Sequence, residues 1–276
     1  MAIRPLTLNL ALVTWRPEGI ARVAAQQLPR VKGVRYVVSW QNHGDAPVPD
    51  SLEQRDDMDI YRCDEAGISA NRNNAISHCT GDIILMADDD ITYDADSLIA
   101  VIVAFEKDRR LDMATFRFDG AGSKPYPAGE TDLSFPLPYG FWVSSVEIAV
   151  LKQSPAGRLR FCPELGLGGR YPVAEDELFV LAALRRGIVP RFFPVVIGRH
   201  NGPTSGQLPV TSNAALEALG IYAGLAYGIG APLRVYTRAR LIQRQGRASF
   251  IRAFAGIMSG IFKAPAFRRR NKKYLW

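Results

Sequence analysis

The chain has 276 residues, of which 47% are hydrophobic and 22% charged, a balance that suits a soluble globular protein and excludes a disordered or collagen-like one. Its 34 basic and 27 acidic residues are unevenly placed: the last acidic residue is Glu217, and twelve lysines and arginines follow it, so the net positive charge belongs wholly to the carboxyl-terminal segment. The three cysteines, Cys63, Cys79 and Cys162, have no CxxC spacing, which argues against a zinc site or a disulfide framework and for reduced thiols in a cytosolic protein.

Residues 6–15, LTLNLALVTW, alternate and then run apolar, predicting a buried first strand rather than a signal peptide. The next segment, RPEGIARVAAQQL, has Pro17 suited to a first helical turn and apolar residues at helical spacing. VRYVVSW predicts a second strand, and SLEQRDDMDIYRC contains a short third. SANRNNAISHCT reads as a helix capped by Ser69 and ended by Gly81. DIILMA is then a strand that stops at Asp88, Asp89 and Asp90. ADSLIAVIVAFEKD predicts an amphipathic helix and LDMATFRF a strand.

Residues 119–142 are irregular, a length that in a compact domain usually signals function or mobility. VAEDELFVLAALRRG predicts a helix whose acidic first turn favours its dipole, and RFFPVVIG a last strand leading into RHNGPTSG. No uncharged apolar run reaches the roughly 20 residues of a spanning helix; the nearest, residues 218–233, is short and glycine-rich.

Strands alternating with helices imply a mostly parallel sheet covered on both faces, with ligands gathering at the carboxyl ends of strands. The aspartate triplet lies at such an end. Three adjacent carboxylates are tolerated cheaply only where water solvates them or a cation neutralises them.

Four stretches in this order, LALVTWRPEGI, GISANRNNAI, MADDDI and YPVAEDELFVLAALRRG, resemble the family 2 glycosyltransferases of the GT-A fold, and WVSSVEIAV, LRFCPELGLGG and VIGRHNGPTSG extend the resemblance over roughly residues 6–206. It implies an α/β fold, a Rossmann-like mixed and mostly parallel sheet with helices on both faces, over residues 1–206, followed by a helical basic extension over 207–276. In this family a DxD motif holds a nucleotide-sugar diphosphate through a divalent cation. Asp88 and Asp90 fall on its carboxylates, with Asp90 on the metal and Asp88 nearer the ribose, while Asp89, within the same nucleotide-sugar motif, points away. Such hard oxygen ligands suit Mg²⁺ or Mn²⁺. His200 falls where many GT-A enzymes carry a further metal-ligating histidine; a strand-end histidine bonded to backbone is the alternative.

The resemblance also places the general base in the pair Glu175-Asp176, with Asp176 the stronger candidate, although two acids at a helix start also serve the dipole alone. Arg72 matches an arginine near the nucleoside and phosphates; Asn73 and Asn74 beside it are weaker candidates, with plain helical surface the alternative for either. Thr14, Trp15 and Arg16 match the nucleoside-contacting end of the first strand. Trp142 and Glu147 match the acceptor pocket, stacking on a sugar ring and holding its hydroxyls. Thr204, Ser205 and Gly206 match a loop closing on the diphosphate. His43 and His78 match nothing and read as surface or helix-end residues.

Beyond residue 211 the pattern stops. Apolar and aromatic residues interleave with arginines over residues 234–276, a composition suited to an anionic membrane surface. The alternatives are that this tail packs on the catalytic domain or on a homodimer mate. No nucleic-acid recognition motif is present. The expectation is an inverting transferase, cytoplasmic and peripheral on the inner face of the plasma membrane, that moves sugar from a UDP- or GDP-sugar to a glycan or lipid-linked glycan acceptor in surface-polysaccharide synthesis. Its rivals are a sugar nucleotidyltransferase of related fold, which would need a glycine-rich triphosphate loop absent after the first strand, and an inactive glycan-binding scaffold.

Overall fold

The computed structural model describes residues 4–120, 124–138, 140–200 and 212–275. In chain order these form β1 (Leu8–Trp15), α1 (Arg16–Ala25), β2 (Val34–Gln41), α2 (Asp50–Glu53), β3 (Met58–Cys63), α3 (Ile68–His78), β4 (Ile83–Asp88), β5 (Ile91–Thr92) and α4 (Ala95–Lys107). They continue with β6 (Met113–Asp119), β7 (Thr131–Asp132), β8 (Ile148–Leu151), α5 (Glu175–Arg185), β9 (Arg191–His200), α6 (Asn213–Tyr227), α7 (Ala231–Arg244), α8 (Phe250–Arg270) and α9 (Lys272–Leu275).

One sheet runs in the order β3-β2-β1-β4-β8-β6-β9-β5, with β7 pairing β9. The β3-β2-β1-β4 half is parallel, as the alternating strand and helix pattern predicts. Beyond it β8 inserts antiparallel between β4 and β6, and β6 pairs β9 in parallel, so the sheet is mixed. The period-2 geometry of a strand sends alternate side chains to two cores. Leu8, Leu10 and Leu12 of β1 and Ile83 and Leu85 of β4 join Ile20 and Val23 of α1 and Leu98, Val101 and Phe105 of α4 on one face. Ala11, Val13, Ile84 and Met86 join Ala75 and Ile76 of α3 and Phe179, Val180 and Ala183 of α5 on the other.

Two local readings need correction. Gly67, not Ser69, precedes α3; Ser69 lies inside the helix and its buried hydroxyl donates to the Leu165 carbonyl at 2.7 Å. That helix ends at His78, before Gly81, where the chain turns extended at Cys79.

The carboxyl-terminal segment packs on the sheet domain rather than hanging free. Ala218, Ile221 and Leu225 of α6, Phe267 of α8 and Leu275 of α9 share a core with Cys162, Leu165, Tyr171, Leu178 and Leu181. α6 and α8 approach closely enough that a Cβ on Gly260 would lie 2.1 Å from the Glu217 carbonyl oxygen and 2.8 Å from the Gly220 Cα. The stretch 218–233, read as short and glycine-rich, is thus mostly helix: Gly220 and Gly224 permit the close approach of α8, while Gly228, at φ 55°, ends α6. All three cysteines are buried free thiols.

Candidate active site

β4 ends at the aspartate triplet, and the three carboxylates diverge. Asp88 faces Arg72, whose Nη2 lies 3.2 and 3.3 Å from its two carboxylate oxygens. Asp89 turns into the fold: its Oδ2 accepts from Thr14 Oγ1 at 2.5 Å and from Arg22 Nη2 at 3.0 Å, and the Gln26 amide donates to its carbonyl. Asp90 Oδ2 lies 3.2 Å from His200 Nε2, on the end of β9, while its Oδ1 is buried without a hydrogen-bond partner.

The Thr14–Asp89 pair explains a glycine. A Cβ on Gly19 of α1 would fall 2.2 Å from Thr14 Oγ1 and 2.8 Å from Asp89 Oδ2, so α1 can seat against the end of β1 only with no side chain there. Burial pushes the Asp89 carboxyl above its ordinary range, against the pull of Thr14 and Arg22. Asp89 thus points away from the strand end, as expected, and the Asp89 and Thr14 side chains are buried and bonded to each other.

Arg72 is the centre of the cluster. Its buried guanidinium lies 3.4 Å from both Glu175 Oε1 and Asp176 Oδ1, so one cation joins the end of β4 to the start of α5. Burial alone would weaken its basicity, but Asp88, Asp176 and Glu175 together raise it, so the guanidinium stays charged. Its Nε is buried and unpartnered, leaving donor capacity in the site. The neighbouring asparagines are anchors. Asn71 accepts from Ser39 Oγ at 2.6 Å and donates to the Thr14 carbonyl at 3.0 Å, and Asn74 donates to Ser39 Oγ at 2.8 Å. Asn73 exchanges two 2.8 Å bonds with the backbone of Phe161.

The acidic pair opens α5 directly after Ala174, a non-glycine residue in the left-handed region at φ 76°. Such a conformation costs about 1 kcal/mol and persists where the surroundings enforce it. Burial, and then Asp176, push Glu175 up to about 8 despite Arg72. Burial raises Asp176 too, while Arg72 and hydrogen bonds from Ser145 oppose it.

At the mouth, Trp15 is half-exposed with the Arg16 guanidinium 3.7 Å over its ring, at the carboxyl end of β1. Trp142 is likewise half-exposed. Glu147, expected to hold acceptor hydroxyls, is instead consumed internally. Lys124 Nζ lies 2.5 Å from it with both side chains buried, and Tyr126 OH donates at 2.5 Å and the Ser144 amide at 2.9 Å. Neither Lys124 nor Tyr126 was visible as a site-shaping residue in the sequence, since both lie in irregular chain with no periodic signal; Ser145 lies within the WVSSVEIAV stretch but carried no signal of its own. Glu177, next in the EDE run, was visible in principle. Burial, and then Asp176, raise its carboxyl against the weaker pull of Arg238 of α7 and Lys124. Thr204, Ser205 and Gly206 lie outside the described residues. His43 packs edge-on against Trp40 and His78 stacks on Tyr61 at 3.7 Å, away from this cluster.

Among the described residues no group of three or more His, Cys, Asp or Glu side chains is arranged to hold a metal. The residues fit one in a sparser way. Asp90 presents a buried carboxylate oxygen with no partner, and His200 sits beside it. A carboxylate and an imidazole, completed by diphosphate oxygens and water, suit Mg²⁺ or Mn²⁺. Asp88 spends its hydrogen bonds on Arg72 instead.

A mixed sheet with acidic residues at its strand ends defines the GT-A architecture, and the comparisons agree. Residues 46–167, a little under half of the chain, match the family model described as Glycosyl transferase family 2. S. aureus TarS superposes with a TM-score of 0.59 at 14% identity, over 97% of this chain and 54% of that one. The chain thus spans about half the length of that relative. S. aureus TarS 1-349 in complex with UDP-GlcNAc gives a TM-score of 0.58 at 14% identity, over 98% of this chain and 89% of that one. The same protein in complex with UDP gives 0.59 at 14%, over 96% and 92%. At such identity the likeness fixes the fold. No curated protein matches the chain.

Proposed function

We propose that this chain is an inverting glycosyltransferase that moves a sugar from a UDP- or GDP-sugar onto a hydroxyl of a glycan acceptor, lipid-linked and destined for the cell surface. The observation that carries the reading is the Arg72 bridge: it brings the carboxylate at the end of β4 and the acidic pair opening α5 to one point. The domain match supports the reaction class, and the UDP-GlcNAc bound by TarS supports a UDP-sugar as the donor.

Asp176 takes the proton from the acceptor hydroxyl. Its burial-raised carboxyl is better matched to neutral pH than an ordinary aspartate, which is what a general base requires. Glu175 is the second candidate; its value of about 8 leaves it largely protonated at neutral pH before substrate arrives. Arg72, with unspent donor capacity beside Asp88, contacts the diphosphate, where a planar guanidinium binds two oxygens at once. Trp15 and Arg16 flank the nucleoside base and Trp142 the acceptor sugar. Asp90 and His200 hold Mg²⁺ or Mn²⁺, which when bound supplies charge neutralisation for the departing nucleoside diphosphate. The basic helices after β9 keep the enzyme at the inner, anionic face of the plasma membrane, where a lipid-linked acceptor resides.

Calorimetric titration with UDP and GDP, in Mn²⁺ or Mg²⁺ and again with chelator, tests the donor site. One nucleotide should bind, and only with metal; binding of neither to folded protein would overturn the assignment. Asp176→Asn should retain nucleotide binding and lose at least about 100-fold in turnover, the scale of general-base catalysis. Full turnover in that variant would remove Asp176 from its role.

A further inference from the structure

We infer that the α7–α8 hairpin docks in the plane of an anionic phospholipid surface through one continuous apolar strip, and that it does not cross the bilayer. This rests on the membrane-peripheral reading above and assigns the face and its orientation. α8 is two-sided. Ala253, Ile257, Gly260, Ala264 and Phe267 are buried against the rest of the protein. On the opposite side Ile251 and Phe262 are 80% and 77% exposed, and Phe254 is also exposed, with Met258 between them. These four are spaced three, four and four residues apart, which places them in one stripe along the helix.

The stripe is continuous with α7. Phe254 lies 5.7 Å from Phe250, and Phe250 5.6 Å from Tyr236, ring centre to ring centre. One turn before Tyr236, Leu233 is 83% exposed, and Ile229 at the α6–α7 corner is fully so. A strip of this length on a monomeric protein marks an interaction surface.

Its charge selects the partner. No acidic residue follows Glu217. The Arg240 guanidinium sits over both Tyr236 and Phe250, at 5.6 and 5.2 Å, so a cation crowns the strip itself. Arg240, Arg244 and Arg247 form no ion pair with any described residue, unlike Lys263 with Glu217 and Arg270 with Glu164 on the flank facing the protein. Apolar side chains bounded by unpaired arginines match headgroup phosphates above acyl chains.

The 21 residues of α8 are long and apolar enough to cross a membrane by composition alone. Crossing would require its inner face to leave α6. That face is locked by backbone contact at Gly220 and Gly260, and α6 is tied through the shared core to α5, so the helix presents only its outer side.

The full chain should be sedimented with vesicles of phosphatidylcholine alone and of phosphatidylcholine mixed with phosphatidylglycerol. It should pellet with the mixed vesicles only, and less so as salt rises. Ile251→Ser combined with Phe262→Ser should weaken partitioning at least about tenfold, from the apolar surface removed. Arg240→Gln with Arg244→Gln should weaken it on the mixed vesicles. Circular dichroism melts and UDP titration, unchanged in both variants, would show that fold and donor site are intact. Equal pelleting of the serine variant, no preference for anionic vesicles, or burial of the strip in a dimer that binds no vesicles would each overturn the docking. A chain that binds UDP but no vesicles sinks this inference alone; one that binds vesicles but no nucleotide sinks only the donor assignment.

Discussion

Asp89 is held by Thr14 and Arg22 inside the fold, while Asp90 keeps a buried oxygen without a partner, so these neighbours should answer substitution in opposite ways. Asp89→Ala strands the buried Thr14 hydroxyl and removes the partner of the exposed Arg22 guanidinium, and should cost about 1–2 kcal/mol in chemical denaturation. Asp90→Asn relieves like-charge crowding with Asp88 and should leave the denaturation midpoint unchanged or raised, while abolishing metal-dependent nucleotide binding by calorimetry. Glu175 carries a second residue-scale consequence. The folded chain keeps a proton there up to about 8, whereas the unfolded chain releases it near 4.5. Stability is therefore lost progressively as pH rises between those values. Glu175→Gln should remove that slope and leave the variant more stable than wild type above pH 8, by on the order of 1–3 kcal/mol in denaturant titrations across pH. In the sequence the triplet and the acidic pair announced themselves by charge density. The duty of each acid did not, because Thr14 and Arg22 lie 75 and 67 positions from Asp89 and only the fold brings them together.

At the scale of elements, the strands of the parallel half were legible because apolar runs of strand length alternate with amphipathic helices. The antiparallel insertion of β8 between β4 and β6 was not, since the segment before it, residues 119–142, carries no periodicity. The partners of Glu147 were hidden for a related reason: Lys124 and Tyr126 sit in that same irregular stretch, and their reach to its carboxylate depends on tertiary packing. The carboxyl-terminal helices were seen, but not their mode of packing. Glycine is a poor helix former by propensity, about 1 kcal/mol behind alanine. Here close contact between α6 and α8 overrides it. Gly260→Leu should force that seam apart, lowering stability by about 1–3 kcal/mol, the cost of overpacking, and exposing α8 to limited proteolysis before the sheet domain is cut.

For the whole molecule, the fold was readable from the order of a few short motifs, and the exposed apolar strip on α7 and α8 was not, because composition reports how many apolar and basic residues a tail holds and not which of them a neighbour covers. The separation of charge along the chain has one more consequence. Up to Glu217 there are more acids than bases, and beyond it twelve bases and no acid, packed into helices on one side of the sheet domain. The protein is therefore an electrical dipole as well as a net cation. Near a negatively charged sheet it experiences a torque before it makes contact, turning the helices inward and the acidic body outward within the roughly 10 Å reach of the field at physiological salt. Encounter is thus already oriented, and few collisions are spent on the wrong face.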